Sequence, residues 1–353
     1  MTDVLAPAHP PPTGAPTRTR KGTRSRALGA VGLGLALTGA LACSIAIGAK
    51  AIPLGVVRDA LVAYDHALDD HVIVRELRVP RTALGLAVGA ALGLAGAVMQ
   101  GVTRNPLADP GLLGVSAGAA LGVVTALSVF SVTAPLGFVW FAFAGAALAG
   151  AVVYGLGALG RGGATPVKLA IAGAAVSALL GSVTAAFLLL DTATLDQYRF
   201  WAVGSVAGRD PAVLVQLSPF LVAGAALALA SARGLDGLAL GDDVARALGQ
   251  RVALVRAVAA ASVVLLCGAA TAAAGPILFV GLTVPHAARA LTGPAHRWLL
   301  PYSAVMGAIL LLLADVVGRV VVRPGELEVG IVIAFLSAPV FIAFVRRRRI
   351  AEL

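Results

Sequence analysis

Residues 82–103 read TALGLAVGAALGLAGAVMQGVT. The run contains no charged residue. It is long enough to supply the roughly 20 apolar residues that cross a hydrocarbon core of about 30 Å as a helix. Its polarity does not alternate, which excludes the strands of an outer-membrane barrel, each about 10 residues of alternating character. Its glycines and alanines suit close approach of helix backbones in lipid. Nine further stretches of this kind lie outward of it, near 27–48, 112–131, 137–160, 169–190, 212–231, 253–272, 275–290, 299–321 and 329–345. The expected fold is all-α, a polytopic membrane protein with about ten transmembrane helices.

Composition agrees. The 353-residue chain is 59% hydrophobic and 12% charged, where soluble domains run about 45–50% apolar and about 25% charged. A water-soluble globule of this size would lack polar residues to cover its surface, and so apolar a chain is not intrinsically disordered. The spans leave a basic tail over 1–26, expected to be disordered, and a membrane domain over 27–349 whose longest inner loop is 233–252. The formal charge of +10 is placed unevenly: Arg18, Arg20, Lys21, Arg24 and Arg26 precede the first span, and Arg346, Arg347, Arg348 and Arg349 follow the last. The positive-inside rule then puts both termini in the cytoplasm, which requires an even number of crossings. In all, 18 of the 27 basic residues fall on that side, and most acidic ones on the other. The excess charge sets orientation, and nucleic acid need not be invoked.

Catalytic chemistry is missing from the pattern. The five histidines (His9, His66, His71, His286, His296) are scattered, with no His-x-x-x-His or Cys-x-x-Cys pair for a metal. No G-x-x-x-x-G-K-[ST] phosphate loop occurs, so this chain is expected neither to bind a cofactor nor to hydrolyse ATP. Cys43 and Cys267 fall inside spans and read as small buried hydrophobes. One carboxylate, Asp315, lies deep in a span, where a charge costs about 2.5–3.5 kcal/mol and needs a partner or a wet cavity. Arg319 stands one turn on along the same face. Two readings are open. Asp315 pairs with Arg319 near the outer end, or it carries protons in a secondary transporter. Pairing is favoured, because a proton relay usually needs several ionisable groups.

Three irregular segments interrupt the apolar background. Arg78-Val79-Pro80-Arg81 precedes the 82–103 span, with the proline fixing a helix start and two cations at the outer surface. Arg104-Asn105-Pro106-Leu107-Ala108-Asp109-Pro110-Gly111 makes a stiff turn that should be enclosed by protein or line a cavity. In the 233–252 loop, residues 238–249 read as a short helix. Gly241 precedes it, Asp242 and Asp243 suit its positive N-terminus, and Gly249 ends it. Ala245 and Leu248 are expected on one face with Leu240 or Leu238. Two acids and no basic face favour docking on a protein over lying on lipid.

These segments, in this order, resemble the FecCD family, the permeases of bacterial ABC importers for iron-siderophores, haem and cobalamin. The resemblance runs from about 27 to 349. It rests on VPRT (79–82), GAVMQ (96–100), NPLADPGLLGV (105–115), ALGDDVARALG (239–249), AGPILFVGLTVPHAAR (274–289), LLAD (312–315), Arg319, Glu326-Leu327 and Val329-Gly330. It implies a multi-pass permease of the bacterial cytoplasmic membrane, paired with a second copy or a paralogue. Separate ATPase subunits using ATP and Mg would sit inside, and a substrate-binding protein outside. It implies docking of that protein on Arg78, Arg81 and Arg319. Coupling to the ATPase would run through Gly241, Asp242, Asp243, Ala245, Arg246 and Gly249. The inner gate would lie at Asn105, Pro106 and Leu107 with Thr165 and Pro166. The chain departs from the family at Pro166, where small hydroxyl residues are frequent, and at Glu328, where proline is usual. The implied cargo is an iron-siderophore, with haem or cobalamin as alternatives.

Overall fold

The structure, a computed structural model, describes residues 23–160 and 164–347, and every element in it is helical. Ten principal helices appear: α1 Thr23–Ala46, α2 Val79–Thr103, α3 Val115–Ser128, α4 Pro135–Ala158, α5 Pro166–Leu190, α6 Pro211–Ala230, α7 Val252–Ala274, α8 Val280–Thr292, α9 His296–Val321 and α10 Val329–Arg347. Among the described residues, seven helical stretches are long and apolar enough to cross a membrane, and α3 and the Val329–Pro339 part of α10 are shorter apolar helices beside them.

The centre of the bundle is α2, buried along most of its length. It packs on α9, α7 and α8, while α3 packs on α4, and α6 on α7. Small residues allow these approaches. A Cβ added at Gly96 would lie 2.0 Å from the carbonyl oxygen of Gly281 in α8. One at Gly89 would lie 2.5 Å from the Gly307 oxygen of α9, and one at Gly118 2.2 Å from the Gly145 oxygen of α4. The backbones are in contact, as lipid-embedded helices without an internal hydrophobic drive require.

The structure departs from the sequence reading at several places. The expected tail boundary shifts: residues 1–22 lie outside the described residues, and α1 is already helical at Thr23. Pro80 does not start a helix. Helical backbone runs without a break from Asp69 through a π segment, Ile73–Arg78, into α2. Val79 donates to the Val74 oxygen, five residues back. A proline ring inside an α-helix clashes with the carbonyl four residues earlier. The wider π turn just before Pro80 changes the carbonyl register, and the chain continues.

Residues 275–279, read as the start of a span, are not helical. The backbone at Gly275 presses on the Trp201 carbonyl, where a Cβ would sit 2.1 Å away, and both Gly275 and Phe279 have positive φ (79° and 69°). Within 238–249 the helix occupies Asp242–Ala247, beginning after Gly241 as expected, while Leu238 ends a separate short helix, Ala232–Leu238, and Ala239–Gly241 form the turn between them. Glu328 leaves the start of α10 intact, since its carbonyl accepts from Ile331 and Val332.

Candidate functional site: an arginine end and a coupling end

α1 ends at Ala46 without a basic residue of its own in the last turn. The last carbonyls of a helix have no intrahelical donor and carry negative dipole charge. Three arginines from elsewhere supply it. Arg78 donates through Nη1 to the oxygens of Ile45 (3.0 Å) and Ala46 (2.7 Å), and through Nη2 to that of Lys50 (2.6 Å). Arg319 donates through Nη1 to the oxygens of Ser44 and Ile47, both at 2.9 Å, and through Nη2 to Ser44 Oγ at 3.0 Å. Arg323 donates to the Gly48 oxygen at 2.7 Å. The guanidinium fork suits this multiple capping.

Asp315 sits in the same cluster. It is paired with Arg319 Nη2 at 3.0 Å, as its spacing suggested, and also with Arg81 Nη2 at 2.7 Å. Arg81 reaches on to Glu326 at 2.6 Å. Asp315 and Arg319 are each 2% exposed and Arg78 is 4% exposed, while Glu326 is about a third exposed. Of the three arginines implied for docking, then, Arg78 and Arg319 are buried on carbonyls, and only Arg81 reaches a carboxylate at the rim. The pairing of Arg81 with Asp315 spans 234 positions, beyond what local spacing can signal. A cavity of about 610 Å³ opens beside the cluster, lined by Lys50, Arg81, Glu326 and, opposite in the chain, Arg209. Hydrogen bonding to Asp70 holds the Lys50 ammonium above its usual range. Burial pushes the Arg209 guanidinium down, and its Nε donates to the Ser205 oxygen.

The other end holds the remaining segments. Arg104 closes α2 in the left-handed region (φ 52°). Asn105 Oδ1 then accepts from the Leu107 amide at 2.9 Å, an Asx turn that fixes Asn105-Pro106-Leu107. Leu107 is exposed, whereas Ala108 and Pro110 are buried. The enclosure expected of this turn thus holds for its second half only. Asp109 Oδ1 caps the following turn through the Gly111 amide, and burial raises its carboxyl above the usual range. Thr165 caps α5 by accepting from the Lys168 amide, with Pro166 in the first turn, where a missing N–H costs nothing.

Gly241 (φ 101°) and Gly249 (φ 80°) bracket the short helix Asp242–Ala247. Ala245 is buried and packs inward, but Leu240, Val244 and Leu248, spaced four apart, are 61%, 47% and 65% exposed. The expected grouping of Ala245 with Leu248 is therefore corrected: the apolar outer face is the 240/244/248 stripe. Asp242 faces Arg256 of α7 at 3.0 Å, Arg104 at 3.5 Å and Arg246 at 3.8 Å. Asp243 pairs with Arg246 at 2.8 Å. Through Asp242 the short helix touches the residue that precedes the Asn105 turn. A further tie escaped the sequence reading: His296 Nδ1 and the His296 amide both meet Asp236 Oδ1, at 2.7 and 2.9 Å. Among the described residues no three His, Cys, Asp or Glu side chains come together as metal ligands.

The model of the FecCD transport family matches residues 35–347. The ferric enterobactin transport system permease protein FepD of Escherichia coli is 47% identical over 92% of this chain and 96% of its own length. The iron(3+)-hydroxamate import system permease protein FhuB of Bacillus subtilis is 43% identical over 92% of this chain and 85% of its own. The cobalamin import system permease protein BtuC of Halobacterium salinarum is 40% identical over 80% and 75%. Among solved structures, an inward-facing metal-chelate type ABC transporter superposes with a TM-score of 0.79 at 27% identity. It covers 92% of this chain and all of that one.

Proposed function

As the chain belongs to the FecCD transport family, we propose that it is the permease subunit of an ATP-binding-cassette importer that carries an iron-siderophore complex into the cytoplasm. The observation that carries this reading is the 47% identity to a ferric enterobactin permease across 92% of the chain. Haem and cobalamin are the competing cargoes.

Transport of this kind needs an outside face that receives a loaded binding protein, an inside face that receives ATPase subunits, and a path that opens to one side at a time. The arginine end serves the first. Arg78 and Arg319 hold the end of α1, while Arg81 and Glu326 meet the partner at the rim. An incoming carboxylate competes with Glu326 for the Arg81 fork. The coupling end serves the second. The 240/244/248 stripe seats in the ATPase, and Asp242 carries its displacement to Arg104 and the Asn105-Pro106-Leu107 turn, with Thr165-Pro166 starting the facing helix. ATP and Mg are used by those separate subunits, a second permease copy or paralogue completes the path, and both termini are cytoplasmic. Asp315 does not carry protons in this scheme, because guanidinium donors occupy both its oxygens.

Uptake of radiolabelled iron in a deletion strain, complemented with this chain and its ATPase, tests the proposal. Import of a ferric siderophore, abolished by depleting ATP, is expected. Import of haem or cobalamin in its place would overturn the cargo, and uptake that survives ATP depletion would overturn the mechanism.

A further inference from the structure

A second cavity, of about 500 Å³, lies at the coupling end where α4 stops and α7 begins. Tyr154, Arg246, Gln250, Arg251 and Arg256 supply its polar lining, and among the described residues no carboxylate lines it. Arg256 is 3% exposed. Its Nη2 is held by Asp242, but its buried Nε has no hydrogen-bond partner. The buried Oε1 of Gln250 has none either. Arg251 is exposed and makes no ion pair among the described residues. Across the cluster two carboxylates, Asp242 and Asp243, face four guanidiniums: Arg104, Arg246, Arg251 and Arg256. An excess of two positive charges around the buried, unpartnered Arg256 Nε calls for an anion.

The surroundings specify its form. The cavity lies between the ends of two candidate spans, Leu136–Ala158 and Val252–Ala274, which places it at headgroup depth. A tyrosine lines it, the residue type that collects at this interface. Basic pockets between helices at the cytoplasmic surface take anionic headgroups. We propose that this cavity binds the phosphate of an anionic phospholipid, with Arg251 and Arg256 as its donors. Free phosphate shares that chemistry; the position at the ends of two spans, beside a tyrosine, argues for the lipid, and competition with inorganic phosphate separates the two.

The full chain purified in neutral detergent is the material for the test. Native mass spectrometry and thermal unfolding follow added phosphatidylglycerol, phosphatidylcholine or inorganic phosphate. The variant Arg251→Gln breaks no ion pair and keeps the fold. Arg199→Gln, at an exposed pair with Asp196 elsewhere, serves as control. Wild-type protein and R199Q should retain phosphatidylglycerol over phosphatidylcholine, and R251Q should weaken that retention at least fivefold, as should high salt. Equal binding of the two lipids, or equal binding by R251Q, overturns the proposal. So does displacement of the lipid by millimolar phosphate, which would make the site a free-phosphate site. Loss of ATPase association in R251Q with lipid retention intact would assign the cavity to the protein partner instead. The measurement needs no transport, so its outcome is separate from the identity of the cargo.

Discussion

Replacing Asp315 by asparagine removes one charge from a buried group of three. Asp315 and Arg319 are 2% exposed and the Arg81 side chain 13% exposed. Removing one member of a buried ion pair costs roughly 3–5 kcal/mol, because the remaining charge stays desolvated. Here each arginine keeps other partners. Arg319 retains the Ser44 and Ile47 oxygens, and Arg81 retains Glu326. The lower end of the range, about 3 kcal/mol, is therefore expected. At roughly 2–4 °C per kcal/mol for chains of 150–250 residues, and somewhat less for a longer one, that is a fall of roughly 5–10 °C in Tm. Unfolding in detergent, followed by the loss of monodisperse protein on heating, measures it. The double variant Asp315→Asn with Arg81→Gln should lose less than the sum of the two single variants, because the pair is in contact. A Tm for D315N within about 1 °C of wild type, or strict additivity in the cycle, would refute the buried network as a stabilising unit. The same variant decides the mechanism. Any residual uptake should keep its ATP dependence and pH profile, and a pH optimum displaced by D315N would restore the proton-carrier reading.

The remaining predictions concern other parts of the molecule. Gly96→Ala places a methyl 2.0 Å from the Gly281 oxygen and should cost roughly 3 kcal/mol, the upper end for overpacking, visible as poor yield and a lowered Tm. Leu248→Glu, on the exposed stripe, should leave Tm unchanged while weakening association with the ATPase at least tenfold in pull-down; normal association would remove the stripe from the interface. Asp236 titrates below the usual carboxylate range: burial pushes it up, but the hydrogen bonds from the His296 side chain and amide outweigh that. A depressed folded pKa gives stability that is present above the unfolded value near 4 and lost as pH falls through the folded one. Tm measured between pH 6 and pH 3 should therefore decline on the acid side, and Asp236→Asn should flatten that decline.

The positions of the long apolar helices are legible in the sequence, because each span must carry its own apolar length whatever it packs against, whereas short helices such as Leu54–Val62 and Thr192–Ala202 are not. What local pattern hides is set by contacts far away in the chain. Gly275–Phe279 is as apolar as the helices beside it, yet it is not helical: Gly275 and Phe279 have positive φ, and the Gly275 backbone lies against the Trp201 carbonyl. Pro80 reads as a helix start because a proline usually disrupts the turn before it, and the π segment that absorbs the disruption leaves no periodic mark. The Asp315–Arg319 pair is visible as an i,i+4 spacing, whereas Arg81, the second partner, comes from the neighbouring α2, 234 positions away in the chain. The same distinction separates Asp242, which is legible as an N-terminal acid, from its ties to Arg104 and Arg256.

These ties alter what the arginines implied for docking can do. A charge already satisfied by carbonyls at the end of α1 cannot be given to a partner without uncapping that helix. Arg78 and Arg319 are held in that way, and their charge reversal would lower the amount of protein before it touched docking. Arg81 differs, because one of its two carboxylates, Glu326, lies at the rim and is exchangeable. An arriving carboxylate that takes the place of Glu326 leaves the Arg81–Asp315 contact and the α1 cap intact. Glu326→Gln should therefore strengthen binding-protein association, by removing the internal competitor, while Tm changes little. Weaker association in E326Q would mean that the partner offers a cation to Glu326, and that Arg81 serves only to hold Asp315.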